Sequence, residues 1–376
     1  MKKRILFLVN DAGFFFSHRV NLALAAVRCG YTVAVACPAD ELTARLHTMD
    51  IQWLETSRVR DRNGPIGLLG IFVEYFRVLR RWRPSMVHLI TSKPVILGGL
   101  AARVLRIPVI AAISGLGYIF TGSGMKFRIM RRLAAFGYRL ALGHRDAYVI
   151  FQNATDRDIF FGLGICSQEN SFLFRGSGVD LQRIRPHKEP EGAIVALLPA
   201  RILRDKGVYE FVAAARIVRG MGSSIVFRLQ GIIDASNPTA VRHEEIDGWI
   251  EEGVVEYLPY SGDVDTMLAS AHIIVLPSYR EGLPKTLIDA AAAGRAVVTT
   301  DVPGCRDAIL PGESGLLVPV RDAAALAEAI VQLSRDAGRR RAYGAAGRRL
   351  AETHFDLERI TEQHLDIYRM ISGDEA

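Results

Sequence analysis

Two carboxylates and two cations stand in this chain at spacings that could hold a phosphorylated ligand. The acids lie in Ser278-Tyr279-Arg280-Glu281-Gly282-Leu283-Pro284-Lys285-Thr286-Leu287-Ile288-Asp289-Ala290. An apolar run from His272 to Pro277 reads as a buried strand before this stretch, and Leu287 to Ala293 reads as a helix after it. A strand that breaks at Gly and Pro and then opens a helix gathers free backbone N–H groups and the positive helix end at one point. Glu281 in the loop and Asp289 two helical turns on could reach the near and far ends of one ligand. The plainer reading is a helix cap followed by an exposed acid, and the stretch alone leaves both open. The cations come earlier, in Pro199-Ala200-Arg201-Ile202-Leu203-Arg204-Asp205-Lys206-Gly207. Arg201 and Lys206 flank a turn between a strand and a helix, where a planar fork and a compact ammonium could meet a diphosphate. Surface solubility is the alternative.

Weaker signals surround these. Pro311-Gly312-Glu313-Ser314-Gly315 reads as a turn before a strand. Asp263-Val264-Asp265 has the form of a metal-holding acid pair, but it sits where an N-cap belongs. Gly115-x-Gly117 and Gly162-x-Gly164 lack the rest of a dinucleotide fingerprint, and no phosphate-loop sequence occurs. His18, next to Ser17, stands where the first loop enters its helix and suits a structural role as well as a functional one.

The elements that must position these residues alternate. Arg4 to Asn10 reads as a strand, Asp11 to Ser17 as a loop turning at Gly13, and His18 to Cys29 as a helix closed by Gly30. Strands follow at Tyr31 to Cys37, Ile51 to Leu54, Met86 to Ile90, Val109 to Ile113 and Ala147 to Phe151. Leu181 to Gly192, with Pro186 and Pro190, reads as a linker. The alternation then restarts, with strands at Ile194 to Pro199, Ile225 to Gln230, Val254 to Leu258, Ile273 to Pro277, Ala296 to Thr300 and Gly315 to Val318. This rhythm predicts an α/β protein of two doubly wound parallel-sheet domains, 1–180 and 193–355, with a ligand cleft between them. A last helix within 356–376 is expected to cross back to the first domain.

Composition bounds the rest. The chain has 376 residues, 49% hydrophobic and 23% charged, which describes a globular protein of two domains. Its four cysteines are scattered, so neither a disulfide framework nor a zinc site is expected. No apolar run approaches the roughly 18 residues of a membrane span. The net charge of +7 is unevenly shared: residues 1–185 carry 26 Lys and Arg against 12 Asp and Glu, and the remainder 21 against 28. Two stretches, Leu68 to Trp82 with its terminal arginines and Met125 to Leu142 with Lys126, Arg128, Arg131, Arg132 and Arg139, combine helical apolar spacing with basic flanks. Helices of this kind can lie on an anionic bilayer, and ordinary sheet-covering helices look similar. Nucleic acid is not an expected partner, because no recognisable module interleaves basic and exposed aromatic residues.

Taken in order, Arg201-x4-Lys206-Gly207, Glu281-Gly282-Leu283-Pro284 with an acid at 289, and Gly315-Leu316-Leu317-Val318 resemble family 4 retaining glycosyltransferases of the two-domain GT-B fold. Ser92-Lys93-Pro94, Ser114-Gly115-Leu116-Gly117-Tyr118 and Val302-Pro303-Gly304-Cys305-Arg306-Asp307 narrow the likeness to bacterial enzymes that extend polyprenyl-diphosphate-linked sugars for O-antigen or capsule. The resemblance implies a nucleotide-sugar donor held by the second domain, UDP-linked in the first instance, and an acceptor held by the first. Arg201 and Lys206 would hold the diphosphate, Glu281 the donor sugar, the Gly282–Leu283–Pro284 backbone sugar and phosphate, Asp289 the ribose, and Gly13 would lie beside the diphosphate. Tyr279, Lys285 and Tyr118 would tune which sugar is taken. It implies no cofactor and no metal, and a cytoplasmic enzyme lying peripherally on the inner membrane face. Two positions depart from the pattern: Asp289 stands where Glu is usual, and Ser114-Gly115 where many members have His. A GDP-mannose-dependent mannosyltransferase, a nucleotide-sugar 2-epimerase and a non-catalytic sugar-nucleotide binder remain alternatives on the same fold.

Overall fold

A computed structural model describes residues 3–57, 64–116, 124–235 and 237–373. The chain divides into two compact units, Met1–Ser177 with Arg359–Ala376, and Gly178–Glu358. The first holds strands β1 (Arg4–Leu8), β2 (Thr32–Cys37), β3 (Ile51–Glu55), β4 (Met86–Ile90), β5 (Val109–Ile113), β6 (Ala147–Phe151) and β7 (Ser171–Leu173). They form one parallel sheet in the order β3-β2-β1-β4-β5-β6-β7. The second holds β8 (Val195–Pro199), β9 (Val226–Gly231), β10 (Glu256–Pro259), β11 (Ile273–Leu276), β12 (Ala296–Thr300) and β13 (Gly315–Val318), in the order β10-β9-β8-β11-β12-β13. Each is a doubly wound sheet, as the alternation predicts.

The continuous apolar runs follow from burial on both faces. In β1, Leu6 and Leu8 join the core under one helical layer, and Ile5 and Phe7 join the core under the other. The central strands of the second unit divide likewise: Ala196 and Leu198 against Val195 and Leu197, Ile273 and Val275 against Ile274 and Leu276. A strand alternates its side chains, so only an unbroken apolar run can feed two cores.

Helices α1 (Ala12–His18), α2 (Val20–Arg28), α3 (Gly64–Trp82), α4 (Gly99–Val104), α5 (Met125–Leu142) and α6 (Ala154–Gly162) belong to the first unit. The second has α7 (Val208–Gly220), α8 (His243–Glu251), α9 (Val264–Ala269), α10 (Lys285–Ala292), α11 (Ala323–Arg335) and α12 (Ala337–His354). Two expectations change. The stretch read as a loop from Asp11 is helical from Ala12, because the Asp11 carboxylate caps it by accepting from Phe14 N at 2.7 Å. The linker stretch 181–192 packs on the second unit: Glu189 takes a bidentate pair from Arg340 at 2.7 and 2.9 Å, and Arg348 Nη1 donates to Ile184 O at 3.0 Å.

Helix α5 presents two unlike faces. Ala135, Tyr138, Ala141 and Leu142 pack on the core. Met125, Ile129, Leu133, Phe136 and Leu140, spaced three and four apart, form an outward apolar stripe, with Leu133 66% and Phe136 59% exposed. At about 100° per residue, Arg128, Arg132 and Arg139 border this stripe on one side and Lys126 on the other. Arg131 falls nearer the core face, where its Nε donates to Phe127 O at 3.4 Å. Among the described residues no helix is long and apolar enough to cross a membrane.

The chain returns to the first unit in α13 (Leu357–Ser372), which carries a buried polar seat. His88 Nδ1 lies 2.7 Å from Tyr368 Oη, and His364 Nδ1 donates to Ile360 O at 2.7 Å. Burial, then the neighbouring Arg19 guanidinium, hold both imidazoles neutral, pushing His364 down to about 3. The unfolded chain binds these protons near pH 6.5 and the folded chain does not. The stability the pair contributes is therefore present above about pH 6.5 and lost as pH falls toward 3. Denaturant midpoints followed from pH 7 to 5 should decline, and the decline should be shallower in His364→Gln.

Candidate functional site

Strands β8, β11 and β12 are neighbours in the second sheet, so the loops leaving their C-terminal ends adjoin. The first carries Arg201 to Gly207, the second Ser278 to Pro284, and the third Val302 to Asp307. An open parallel sheet gathers ligands at this edge.

Hydrogen bonds join the first two loops. Lys206 Nζ donates to Glu281 Oε1, and Ser278 Oγ lies 2.7 Å from the same oxygen and 3.0 Å from Asp205 O. Tyr279 N donates to Asp205 O at 2.9 Å. The Glu281 and Lys206 side chains are 13% and 20% exposed, so this pair is well removed from water. One carboxylate oxygen is thus committed to a cation and a hydroxyl. Arg201 differs: its side chain is exposed and, among the described residues, has no hydrogen bond or ion pair. The site therefore has one engaged and one open cation.

The third loop supports the second from behind. Gly304 has φ +82°, and a Cβ there would stand 2.4 Å from Gly282 O and 2.6 Å from Glu281 O. Only a glycine lets the two loops touch, and Asp307 Oδ2 fixes it by accepting from Gly304 N at 3.1 Å. Gly207 has the same function at the first loop: φ is +75°, and a Cβ would meet Pro277 O at 2.1 Å. Thr286 Oγ1 donates to Pro199 O at 2.9 Å, tying the first turn of α10 to the end of β8.

Pro284 is the N-cap of α10, with Gly282 and Leu283 buried before it, so the free N–H groups of the first turn open beside Glu281. Asp289, one turn into α10, is 4% exposed and accepts from Lys285 Nζ at 2.7 Å. Burial pushes its carboxyl up, and the Lys285 charge and the hydrogen bond from it only partly offset that. Lys285 also reaches Gly178 O, at 3.4 Å. Tyr279 Oη donates to Glu210 Oε1 at 2.8 Å, and the Arg321 guanidinium lies 4.6 Å over its ring. Burial, then Glu210, push that phenol up to about 12.

Of the residues singled out in the sequence, Arg201, Lys206, Glu281, Gly282, Leu283, Pro284 and Asp289 lie on adjoining loops and one helix of the second unit. Gly13 lies in α1 of the first. His18 is held by Ser17 Oγ at 2.6 Å and stacks on Phe14 at 4.2 Å. Asp263 caps α9 through Thr266 N, and Asp265 accepts from Arg185 N and His187, so both acids of that pair are engaged. Gly117 and Tyr118 lie outside the described residues. Sequence reading misses Ser278, the Asp205 carbonyl, and the Glu210 and Arg321 partners of Tyr279, because Asp205, Glu210 and Arg321 reach this loop from segments far away in the chain. The dipeptide Pro303-Gly304 was the one local signal of the third loop's approach.

Replacing Gly304 by Ala forces both a left-handed backbone and a clash with two carbonyls. It should cost at least roughly 1–3 kcal/mol in denaturant unfolding. It should also weaken the site out of proportion to Gly312→Ala, whose Cβ would meet nothing within 4 Å.

Comparison with known proteins gives the family and the fold. Residues 193–336 match the family model described as glycosyl transferases group 1, and residues 4–153 the one described as glycosyl transferase 4-like. The chain is 28% identical over 352 residues to the N,N'-diacetylbacillosaminyl-diphospho-undecaprenol alpha-1,3-N-acetylgalactosaminyltransferase of Campylobacter jejuni, covering 89% of this chain and 90% of that protein. It is 26% identical to the capsular polysaccharide biosynthesis glycosyltransferase CapM of Staphylococcus aureus, over 76% and 77% of the two chains. Among solved structures, sucrose-phosphate synthase from Thermosynechococcus elongatus superposes with a TM-score of 0.79 at 19% identity, covering 99% of this chain and 100% of that one. Anabaena HepE in complex with UDP gives 0.77 at 17%, over 98% and 100%. The chain belongs to the group 1, family 4-like glycosyltransferases of the two-domain GT-B fold.

Proposed function

We propose that this enzyme moves a hexose or N-acetylhexosamine from a UDP-sugar to a polyprenyl-diphosphate-linked sugar, with retention of anomeric configuration and without a metal. The observation that carries the reading is the Lys206–Glu281–Ser278 network beside an open Arg201 at the C-terminal edge of a doubly wound sheet. The Campylobacter relative's name specifies a diphospho-undecaprenol acceptor, and HepE was solved with UDP and with UDP-glucose. Both support the substrate classes chosen here.

The chemistry asks for little beyond these groups. As the acceptor hydroxyl attacks the anomeric carbon, the bond to the diphosphate breaks and negative charge gathers on the leaving phosphate. Arg201, Lys206 and the N-terminus of α10 would carry that charge, fixed in place before it forms. In a retaining transfer the hydroxyl enters on the face the diphosphate leaves, and a phosphate oxygen takes its proton. Glu281 would then hold sugar hydroxyls through its second oxygen. A donor diphosphate would compete with Glu281 for Lys206, coupling release of the cation to occupation of the site. Metal independence is supported by the engagement of Asp263 and Asp265 elsewhere. Asp289 would accept from the ribose hydroxyls.

Mass detection of products from UDP- and GDP-sugars with polyprenyl-diphosphate sugars tests this directly. Transfer with a UDP-sugar supports it. A free epimer, a GDP-mannose preference or bound but unchanged donor would each replace it. In the same assay Lys206→Met should lower turnover by roughly 10²–10³-fold. Asp289→Ala should weaken donor binding roughly tenfold, and Asp289→Glu should retain activity. Donor affinity unchanged in Asp289→Ala would sink the ribose assignment.

The acceptor's lipid would place the enzyme at the cytoplasmic face of the membrane, and the outward stripe of α5 with its basic borders fits an anionic bilayer. Flotation with anionic vesicles should recover the wild type. Recovery should fall both when Leu133 and Phe136 become Ser and when Arg128 and Arg132 become Gln. Unchanged recovery in both variants would refute this surface.

A further inference from the structure

The second unit holds a cavity of about 580 Å³ at the N-terminal edge of its sheet, the edge opposite the candidate active site. His272 and Arg295 enter it from the residues just before β11 and β12, and Lys188 and Glu189 from the stretch that leads into β8. Helix α12 contributes Arg340, Arg341 and Arg348. Strands of four and five residues separate the two edges by roughly 13–17 Å.

The charge of this lining is anomalous for its surroundings. Residues 186–376 carry seven more acids than bases, yet the cavity wall holds five Lys and Arg against one carboxylate. Much of that charge is already matched: Arg340 takes both oxygens of Glu189, and Arg348 Nε takes Glu352 at 2.7 Å. Three cations are left over. Arg295 is 2% exposed and donates only to the neutral carbonyls of Leu268, Lys188 and Ala269, at 3.0 to 3.1 Å. The acids nearest it are committed elsewhere, Glu189 to Arg340 and Asp265 to His187 at 2.8 Å. Lys188 and Arg341 are exposed at the rim and, among the described residues, have no side-chain partner. His272 adds no charge, because burial pushes its imidazole down and its Nδ1 accepts from Val195 N at 3.0 Å.

A buried guanidinium matched only by carbonyls is costly unless an anion compensates its charge. Two free cations at the mouth of the same concavity supply donors that such an anion would use. Small residues, Gly294, Ala296, Gly344 and Ala345, leave the floor open. We propose that this cavity binds the phosphate or diphosphate group of a small molecule, as a second anion site distinct from the donor site.

Titration with inorganic pyrophosphate by calorimetry at constant ionic strength tests it. The wild type should show binding that Lys188→Glu/Arg341→Glu weakens at least tenfold. Both residues are exposed and, among the described residues, unpartnered, and an unchanged thermal midpoint in that variant certifies its fold. Arg201→Ala, on the opposite edge, reports the donor site separately and should leave the Lys188- and Arg341-dependent binding intact. An isotherm in Lys188→Glu/Arg341→Glu that matches the wild type overturns the proposal, whatever Arg201→Ala shows. So does pyrophosphate binding that is lost entirely with Arg201.

Discussion

An ion pair held mostly out of water sets the terms for the second unit. Lys206 and Glu281 come from loops that follow different strands, and their desolvation is tolerable only if they meet with good geometry and a further hydrogen bond. Ser278 supplies that bond, and Asp205 ties the same two loops through its carbonyl. For the loops to come this close, Gly207 and Gly304 must let backbone meet backbone where a side chain would collide. The left-handed Gly207 and Gly304 beside the pair are what it requires of these loops.

The first unit solves a different problem. Its sheet is sealed by α13, which arrives from the far end of the sequence and brings the His364 imidazole and the Tyr368 phenol against His88 of β4 in an apolar core. These polar groups remain because burial holds them neutral, so the seal depends on proton concentration. On the opposite helical layer, α5 packs Ala135, Tyr138, Ala141 and Leu142 inward and leaves a second apolar stripe outward, where a solvated helix is polar. The basic border around this stripe accounts for four of the 26 Lys and Arg of residues 1–185.

The second unit separates charge by position. At the C-terminal edge of its sheet, one cation is matched and one is open, next to a helix N-terminus. At the N-terminal edge, Arg295 is matched by carbonyls alone and the strap 181–192 is clamped by Arg340 and Arg348. Positive charge is thus placed at both ends of the sheet in a unit with an acidic composition.

By itself the sequence determined the two sheets, because apolar runs long enough to feed two cores on alternate residues cannot fold otherwise in this rhythm. Each of the six second-half strands read from it is present, and Glu281, Arg201 and Lys206 stand on the loops expected of them. It misplaced what depends on one hydrogen bond: Asp11 turns the loop around Gly13 into helix. It also could not see partners. Nothing local says that Lys206 meets Glu281, 75 residues away, or that Asp289, one helical turn after Lys285, is buried. Periodicity and composition report the environment of a residue averaged over its neighbours in the chain. Which loop carboxylate faces which loop cation is decided only when the strands take their order in the sheet, and that order is a tertiary fact.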